Sequence, residues 1–295
     1  MSRLSTFYQS GRLAISFELF PPKTPKGEDS LYEHVEKLLE YSPDYVTCTY
    51  GAGGSTRDKT LEIVTRVKNR FGVPVASHLT LVGSTVDDLR AYLNRSKDQG
   101  VDFIVALRGD PPQGQSEFQQ TAGGFQYANE LVGLVKREFP EFGIVVAGYP
   151  ETHREAVSPQ ADLESLKRKV EAGADIVITQ LFYDNQDFFR FRDGCDKIGI
   201  RVPIIPGVLP ITNLNQVQRI TALCGARLPA QLIEQLSSRD NADWHFQVGV
   251  DWSIRQSREL IEKDCSGLHF YVLNQSLATL KILQAIGIDA LRGAK

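Results

Sequence analysis

The feature that most restricts what this chain can fold into is a repeat. Short β-rich runs alternate with amphipathic helical stretches along its whole length. The runs are LAISFELF (13–20), DYVTCTY (44–50), PVASHLTL (74–81), DFIVALRG (102–109), GIVVAGYP (143–150), DIVITQLFY (175–183), VPIIPGVLP (202–210) and LHFYVLN (268–274). Between them lie segments such as SLYEHVEKLLEY, RDKTLEIVTRVKNRFG, FQYANELVGLVKREF and ADLESLKRKVEAGA. Their apolar residues return at three- and four-residue spacing, as Leu163, Leu166 and Val170 do. Several stop at a glycine before the next strand: Gly72, Gly100, Gly173 and Gly199. Strand then helix, eight times over, is the pattern of a (β/α)8 TIM barrel. Only the crossover before the eighth strand is long, with extra helical material at roughly 213–225, 229–238 and 245–264, and a final helix at about 276–287 follows that strand. The rival architecture, a doubly wound open sheet, would want a glycine-rich fingerprint after its first strand, where FELFPPKTP stands instead. No Pro/Gly-rich linker interrupts the pattern, so a single domain over 1–295 is expected.

Several function classes fall away on charge and composition. A net charge of −3 provides no basic field for nucleic acid or an anionic membrane surface. No apolar run approaches the roughly 20 residues of a membrane span, and the opening MSRLSTFYQSGRL lacks the apolar core of a signal peptide. Cys48, Cys195, Cys224 and Cys265 are far apart and form no C-x-x-C pair. Neither a disulfide framework nor a cysteine-rich metal site is expected, and the compartment expected is the reducing cytoplasm. Apolar outer helix faces fit a homo-oligomer as well as packing on the barrel.

The first strand contains an anomaly. Ile15, Phe17 and Leu19 alternate on one face and Ser16, Glu18 and Phe20 on the other, so a carboxylate sits in a strand that is otherwise apolar or small on both sides. Such a group is paired, hydrogen-bonded, or kept neutral by a raised pKa; a structural salt bridge and a catalytic acid are both open readings. Barrel active sites lie at the C-terminal ends of the strands, and Glu18 has company there. The second strand ends in Thr47 and Thr49 before GAGGST, which lacks the G-K-[ST] order of a phosphate loop and reads as a tight turn. The third carries His78, the fourth ends Arg108-Gly109-Asp110, and Tyr149, Glu151 and His153 follow the fifth. Gln180 and Tyr183 end the sixth, and Tyr271, Asn274 and Gln275 the eighth. Each has a bland reading; their accumulation at one rim indicates a site.

The chemistry of that rim narrows by elimination. No H-x-H or H-E-x-x-H offers a metal site, so none is expected. No strand run contains a lysine for a Schiff base, and no closely spaced cysteines hold a radical cluster. Two carboxylates, Glu18 and Asp110, remain with amide, hydroxyl, imidazole and guanidinium donors. Such a set can protonate a substrate, hold a polar heterocycle and grip a phosphorylated cofactor, but it cannot transfer electrons unaided.

The segments SFELFPPKT, TYGAGGSTRDKT, SHLT, VALRGDPP, AGYPETH, ADLESLKRKVEAGAD, ITQLFYD, IIPGVLPI and HFYVLNQS together resemble, in order and over nearly the whole chain, the bacterial-type catalytic domain of the methylenetetrahydrofolate reductase family. The resemblance implies a flavin-bearing (β/α)8 barrel, an FAD-dependent oxidoreductase acting on CH–NH donors. It would reduce 5,10-methylenetetrahydrofolate to 5-methyltetrahydrofolate with NADH or NADPH as electron donor, in ping-pong order. Carried over by position, it makes Glu18 the general acid that protonates folate N10, so that the five-membered ring opens to an N5 iminium cation. It sets Asp110 beside the pterin and flavin rings, and gives Gln180 contacts to folate and nicotinamide in turn. Tyr271 and Leu273 would line the shared pocket. The flavin side would comprise Thr49, His78, Arg108, Gly109 and Asp110 with Tyr127 and Ala128. Ala147, Tyr149, His153, Asp162, Arg168 and Lys169 complete it. Arg108, Arg168 and Lys169 suit a diphosphate and Asp162 suits ribityl or ribose hydroxyls, while Lys167 reads as part of a solvated helix face.

Two positions depart from the bacterial pattern. A ligand-stacking phenylalanine of the seventh crossover is replaced by Ile220, and Gln275 stands where an arginine is frequent; both bear on nicotinamide affinity and donor identity. No regulatory C-terminal region follows within these residues, so inhibition by adenosylmethionine is not expected. If Glu18 is the acid, half protonation at pH 7 requires its pKa to rise from about 4.3 by roughly 2.7, or about 3.7 kcal/mol. Burial beside Phe17, Leu19, Phe20 and the prolines is the expected source of that rise. Two alternatives stay open: a flavin-free folate- or pterin-binding barrel such as a methyltransferase, and a barrel subunit taking electrons from a protein partner.

Overall fold

Alternate residues of each strand face two different cores, and this parity organises the molecule. The computed structural model describes residues 3–9, 11–50, 57–110 and 118–293; the GAGGST turn at 51–56 and Pro111-Pro112 lie outside them. The strands are β1 (Ala14–Leu19), β2 (Tyr45–Cys48), β3 (Val75–Thr80), β4 (Phe103–Leu107), β5 (Gly143–Gly148), β6 (Ile176–Thr179), β7 (Ile204–Ile205), β8 (Gly207–Val208) and β9 (Gly267–Tyr271). All pair in parallel, in the order β7-β6-β5-β4-β3-β2-β1-β9-β8.

The seventh run of the sequence is therefore two short strands rather than one. Pro206, which has no N–H, divides it. Its first half pairs with β6 (Ile178↔Ile205) and its second with β9 (Gly207↔His269), so the divided strand closes the barrel. The sixth strand is shorter than DIVITQLFY suggests. It ends at Thr179, although the Gln180 N–H still donates to the Gly148 carbonyl at 2.8 Å.

Ile15, Phe17 and Leu19 point outward into the main core against the helices. The inward residues Ala14, Tyr45, Ala76, Phe103, Val105, Val145, Ile176, Ile178 and Ile205 form a separate core inside the barrel. A short helix the sequence did not announce, α1 (Arg3–Thr6), brings Leu4 and Tyr8 to its floor. They lie against Gly143 and Gly267, the first residues of β5 and β9. The barrel is thus a filled core with its free face at the C-terminal strand ends.

The crossover helices are α2 (Pro25–Leu39), α3 (Arg57–Phe71), α4 (Val86–Asp98), α5 (Ala128–Glu138), α6 (Pro159–Glu171) and α7 (Asn185–Lys197). Thr24, Thr85, Ser158 and Asp184 cap four of them through their side-chain oxygens. Gly72, Gly100, Gly173 and Gly199 follow their helices in left-handed backbone, as the sequence implies. The long seventh crossover holds α8 (Leu214–Cys224), α9 (Ala230–Ser237) and α10 (Ala242–Glu262), and α11 (Leu277–Ile286) and α12 (Ile288–Arg292) close the chain. Val217, Leu232, Leu236 and Val248 of this insert join Leu181, Tyr183, Leu209 and Ile211 in a third core beside the barrel mouth. No helix of the described residues is long and apolar enough to cross a membrane.

Candidate active site

Glu18 ends the inward row of β1, 8% exposed, between two imidazoles. His78 Nε2 from β3 lies 3.2 Å from its Oε2, and His269 Nε2 from β9 lies 3.6 Å away. Burial pushes the carboxyl pKa up, but the facing imidazoles of His78 and His269 outweigh it and bring Glu18 down to about 2. This overturns the expected rise. Phe17 and Leu19 face the helices, Phe20 is 37% exposed, and the groups touching the carboxylate are cationic when protonated rather than apolar. The paired reading of a carboxylate in a strand is the one realised, with two imidazoles as its neighbours. His269 is held from behind by Ser16, whose hydroxyl lies 2.8 Å from Nδ1. His78 is 5% exposed, and neither its ring nitrogens nor His269 Nε2 make an aligned hydrogen bond; the Thr47 and Thr80 hydroxyls are likewise buried without a partner.

Across the mouth, the ends of β4 and β5 and the helix α6, with Asp162 in its first turn and Lys169 in its last, assemble a cationic wall. Lys169 Nζ donates to the Ala147 carbonyl at 2.6 Å, lies 6.0 Å from the Tyr149 ring, and is driven by burial down to about 8, with Asp162 opposing and Arg108 adding to the effect. Arg108 pairs with Glu155 at 2.7 Å and lies over the Phe118 ring. The His153 ring packs edge-on against Tyr149 at 4.6 Å and its pKa is lowered by burial and then by Arg108, while the His153 backbone N–H donates to Asp162 Oδ2 at 2.8 Å. Asp110 is exposed at the end of the fourth strand, close enough to act electrostatically on Tyr149. Gly109 has φ +89°, and a Cβ there would come within 2.8 Å of Val82 Cγ2 and 2.9 Å of Thr80 Cβ, so only glycine fits this turn. Tyr127 is 54% exposed at the N-terminus of α5, next to Ala128. Thr49 is half-buried after β2. Arg168 is exposed on α6 and bonds the Ser165 hydroxyl, and Lys167 faces Glu171 on the solvated side.

The third side is apolar. Tyr271 and Leu273 join Ile220 of α8 in the core beside the mouth. The Tyr271 hydroxyl donates to the Thr179 carbonyl at 2.7 Å, and its ring meets His269 edge-on at 5.2 Å. Gln180 lines a small pocket with Tyr149, Glu151 and Cys224. Leu273 and Asn274 both have positive φ, +47° and +55°, a strained turn held by the Asn274 side chain, which bonds the Phe20 N–H and carbonyl. Arg227, between α8 and α9, ties the insert to the rim through Glu151 (3.0 Å) and Asp187 (3.0 Å).

This geometry puts an acid–imidazole cluster, a cationic wall and an apolar wall around one mouth. The sequence profile described as methylenetetrahydrofolate reductase matches residues 3–287. The chain belongs to the methylenetetrahydrofolate reductase family. It is similar to 5,10-methylenetetrahydrofolate reductase of Escherichia coli (strain K12), 39% identical over 94% of this chain and 92% of that one. It is also similar to methylenetetrahydrofolate reductase (NADH) 1 of Arabidopsis thaliana, 37% identical over 98% of this chain and 50% of that one. The chain spans about half the length of the plant relatives it matches. Among solved structures it is similar to an uncharacterized Clostridium thermocellum protein that binds two copies of 5-methyl-5,6,7,8-tetrahydrofolic acid, with a TM-score of 0.63 at 13% identity over 98% of this chain and 99% of that one. A dihydropteroate synthase from Xanthomonas albilineans in complex with 7,8-dihydropteroate superposes with a TM-score of 0.51 at 13% identity over 94% and 93%. These last likenesses concern the fold.

Of the residues singled out in the sequence, Glu18 meets His78 and, through His269, Tyr271, while Tyr149, His153, Asp162 and Lys169 meet one another on the other side of the mouth. His78 touches Glu18 itself. Ser16 and His269 escaped the sequence reading, though the signal was there: each lies two residues before a rim residue, Glu18 and Tyr271, on the same inward parity. Glu155 and Arg227 left no such signal, because loop partners have no periodicity.

Proposed function

We propose that this chain reduces 5,10-methylenetetrahydrofolate to 5-methyltetrahydrofolate, with electrons from NADH or NADPH reaching the folate through FAD in two half-reactions that use one pocket in turn. The observation that carries this reading is the buried Glu18 carboxylate between His78 and His269, opening on the apolar wall of Tyr271, Leu273 and Ile220. The names of the relatives support the reaction, and the (NADH) in the plant names supports the donor.

The residues at the mouth suit FAD. His78, Thr47 and Thr80 keep buried polar atoms unpartnered, and Arg108 and Lys169 supply positive charge. Arg108, Lys169 and Arg168 would hold the diphosphate, Asp162 the ribityl hydroxyls, and Thr49, Tyr127, Ala128, Ala147, Tyr149 and His153 the remainder. When bound, the flavin supplies the hydride.

The protein's own part is proton handling and positioning. Glu18 gives a proton to folate N10, the C–N bond to N10 breaks, and the N5 iminium cation forms. N10 is an arylamine and weakly basic, so the carboxylate left behind must be well stabilised. His78 and His269 do this, and hold between them the proton that Glu18 passes on. Asp110 stabilises cationic character on the pterin, Gln180 bonds its polar edge, and Tyr271, Leu273 and Ile220 exclude water.

The test is anaerobic. NADH should bleach the yellow protein and methylenetetrahydrofolate should restore its colour. Glu18→Gln should keep FAD and the bleaching step but recolour at least about 100-fold more slowly. Normal folate turnover in that variant would refute the acid role, and a colourless protein that takes up no FAD would turn the reading toward a flavin-free folate-binding barrel.

A further inference from the structure

Helix α8 brings Ile220 to the apolar wall, yet it is lightly packed: of its 11 residues only Val217 and Thr221 are buried. Helices in proteins draw most of their stability from a packed face, so what holds this one lies largely at its ends. Asn213 caps the start, its side chain accepting the Gln216 N–H at 3.0 Å. The other end is tied to the turn between β5 and α6. The Arg154 guanidinium donates to the Leu223 and Ala222 carbonyls at 2.8 and 3.2 Å. Its stem crosses Gly225, where a Cβ would stand 2.8 Å from Arg154 Cγ. Two residues on, Arg227 donates its backbone N–H and its Nε to Glu151 Oε2, both at 3.0 Å, and its Nη2 to both Asp187 oxygens at 3.0 Å. An exposed helix end leaves its last carbonyls to water, and Leu223 is 71% exposed, so burial does not demand the Arg154 tie. The turn that supplies these ties is strained. Thr152 has φ +74°, a backbone that a β-branched residue adopts only where its surroundings impose it. On one side of it Glu151 reaches the insert, and on the other His153 reaches Tyr149 and Asp162 of the cationic wall.

We propose that Glu151, Arg154 and Arg227 are positioning residues that clamp the C-terminal end of α8 to the β5–α6 turn, and so hold Ile220 at the pocket that folate and nicotinamide use in turn. Ile220 lies one helical turn before Cys224, on the same face. Cys224, Gly225 and Ala226 line the small pocket together with Gln180 and Glu151. A helix end that swings away from the turn therefore carries Ile220 off the apolar wall and opens the space beside Gln180. The clamp makes and breaks no covalent bond. It acts on the shape of the pocket, so its effect belongs to binding rather than to the hydride or proton transfer. The inference deepens the reading of one shared pocket and rests on it.

Half-reaction kinetics of the holoenzyme test this. In Arg154→Ala the KM for methylenetetrahydrofolate and the KM for NADH should each rise about fivefold, with FAD content and both limiting rates unchanged. Arg154→Lys, which keeps one donor for the α8 carbonyls, should recover part of the loss, and Arg227→Met should act in the same direction as Arg154→Ala. The decisive measurement is a double-mutant cycle. Ile220→Ala raises the same KM values by itself, and adding Arg154→Ala to it should raise them no further, because the wall that the clamp positions is already gone. Additive effects of the two substitutions, or a lower melting temperature with both KM values unmoved, overturn the proposal. Hydrogen exchange is independent of the chemistry. Amide protection over residues 221–225 should fall in Arg154→Ala, and unchanged protection overturns the clamp even where folate is reduced normally. A parent holoenzyme that methylenetetrahydrofolate fails to reoxidise overturns the functional reading instead, and the exchange measurement then still decides the clamp.

Discussion

Lys169 illustrates how one side chain couples burial to ligand charge. Its stem is covered and its ammonium rests on the Ala147 carbonyl, so the charged form is disfavoured and deprotonates near pH 8 instead of near its ordinary 10.5. The sign for binding follows. Below about pH 8 the ammonium is present to meet a phosphate; above it, binding must first restore a proton. FAD affinity should therefore be flat below pH 8 and fall, by at most about tenfold per pH unit, as the pH rises above it. Lys169→Met should bind more weakly and without that slope; a slope that persists in Lys169→Met assigns the titration elsewhere. Fluorescence titration of apoprotein with FAD measures both. At Glu18 the residue scale also has a lesson. Apolar neighbours in the sequence say little about what desolvates a side chain in a strand, because adjacent residues face opposite cores.

At the scale of elements, two devices recur. Asp44, Asp102 and Asp175 stand just before or at the start of their strands. Each accepts the N–H of a residue on the preceding strand, Ile15 at 2.9 Å, Val75 at 2.9 Å and Ile144 at 2.8 Å, so the same carboxylate sets the stagger three times round the barrel. The other device is the divided seventh strand. Beyond Pro206, Gly207 passes under the Tyr271 ring, where a Cβ would stand 2.3 Å from the Thr179 carbonyl oxygen and 2.6 Å from Tyr271 Cε2. Gly207→Ala should displace Tyr271 and break its bond to Thr179. We expect a loss of about 1–3 kcal/mol with a raised KM for folate and little change in bleaching by NADH. Thermal melts and half-reaction kinetics check this, and an unaltered KM would mean that Tyr271 does not line the folate pocket.

At the scale of the molecule, the two ends of the chain are locked together at the barrel floor. Buried Asp44 pairs with Arg12 and, at 2.9 Å, with Arg292, whose guanidinium also donates to the Leu13 and Ser42 carbonyls at 3.0 and 2.8 Å. Arg292→Ala removes the hydrogen bonds to two carbonyls and one of the two ion pairs of buried Asp44, with Arg12 as the remaining cation. The expected cost is about 2 kcal/mol, seen as a melting temperature lower by a few degrees. Both half-reactions per folded molecule should be unchanged, since the clamp lies at the opposite end from the mouth. A melting temperature equal to that of the parent would show the clamp to be energetically idle.

The order of strands and helices, the long insert before the eighth strand and the helix-ending glycines were legible in the residues, because local periodicity and backbone sterics report on nearest neighbours along the chain. The rim residues were legible for the same reason: a strand end is a local feature, and barrel topology gathers strand ends on one face. Tertiary structure alone decided what each rim residue meets. It put His78 and His269 on either side of Glu18 and turned the expected pKa rise into a fall, seated Tyr8 under the barrel, split the seventh strand at Pro206, and tied Arg227 to Glu151 and Asp187. These are contacts between residues dozens to hundreds of positions apart, set by closure and register, and no local pattern encodes a partner at that distance.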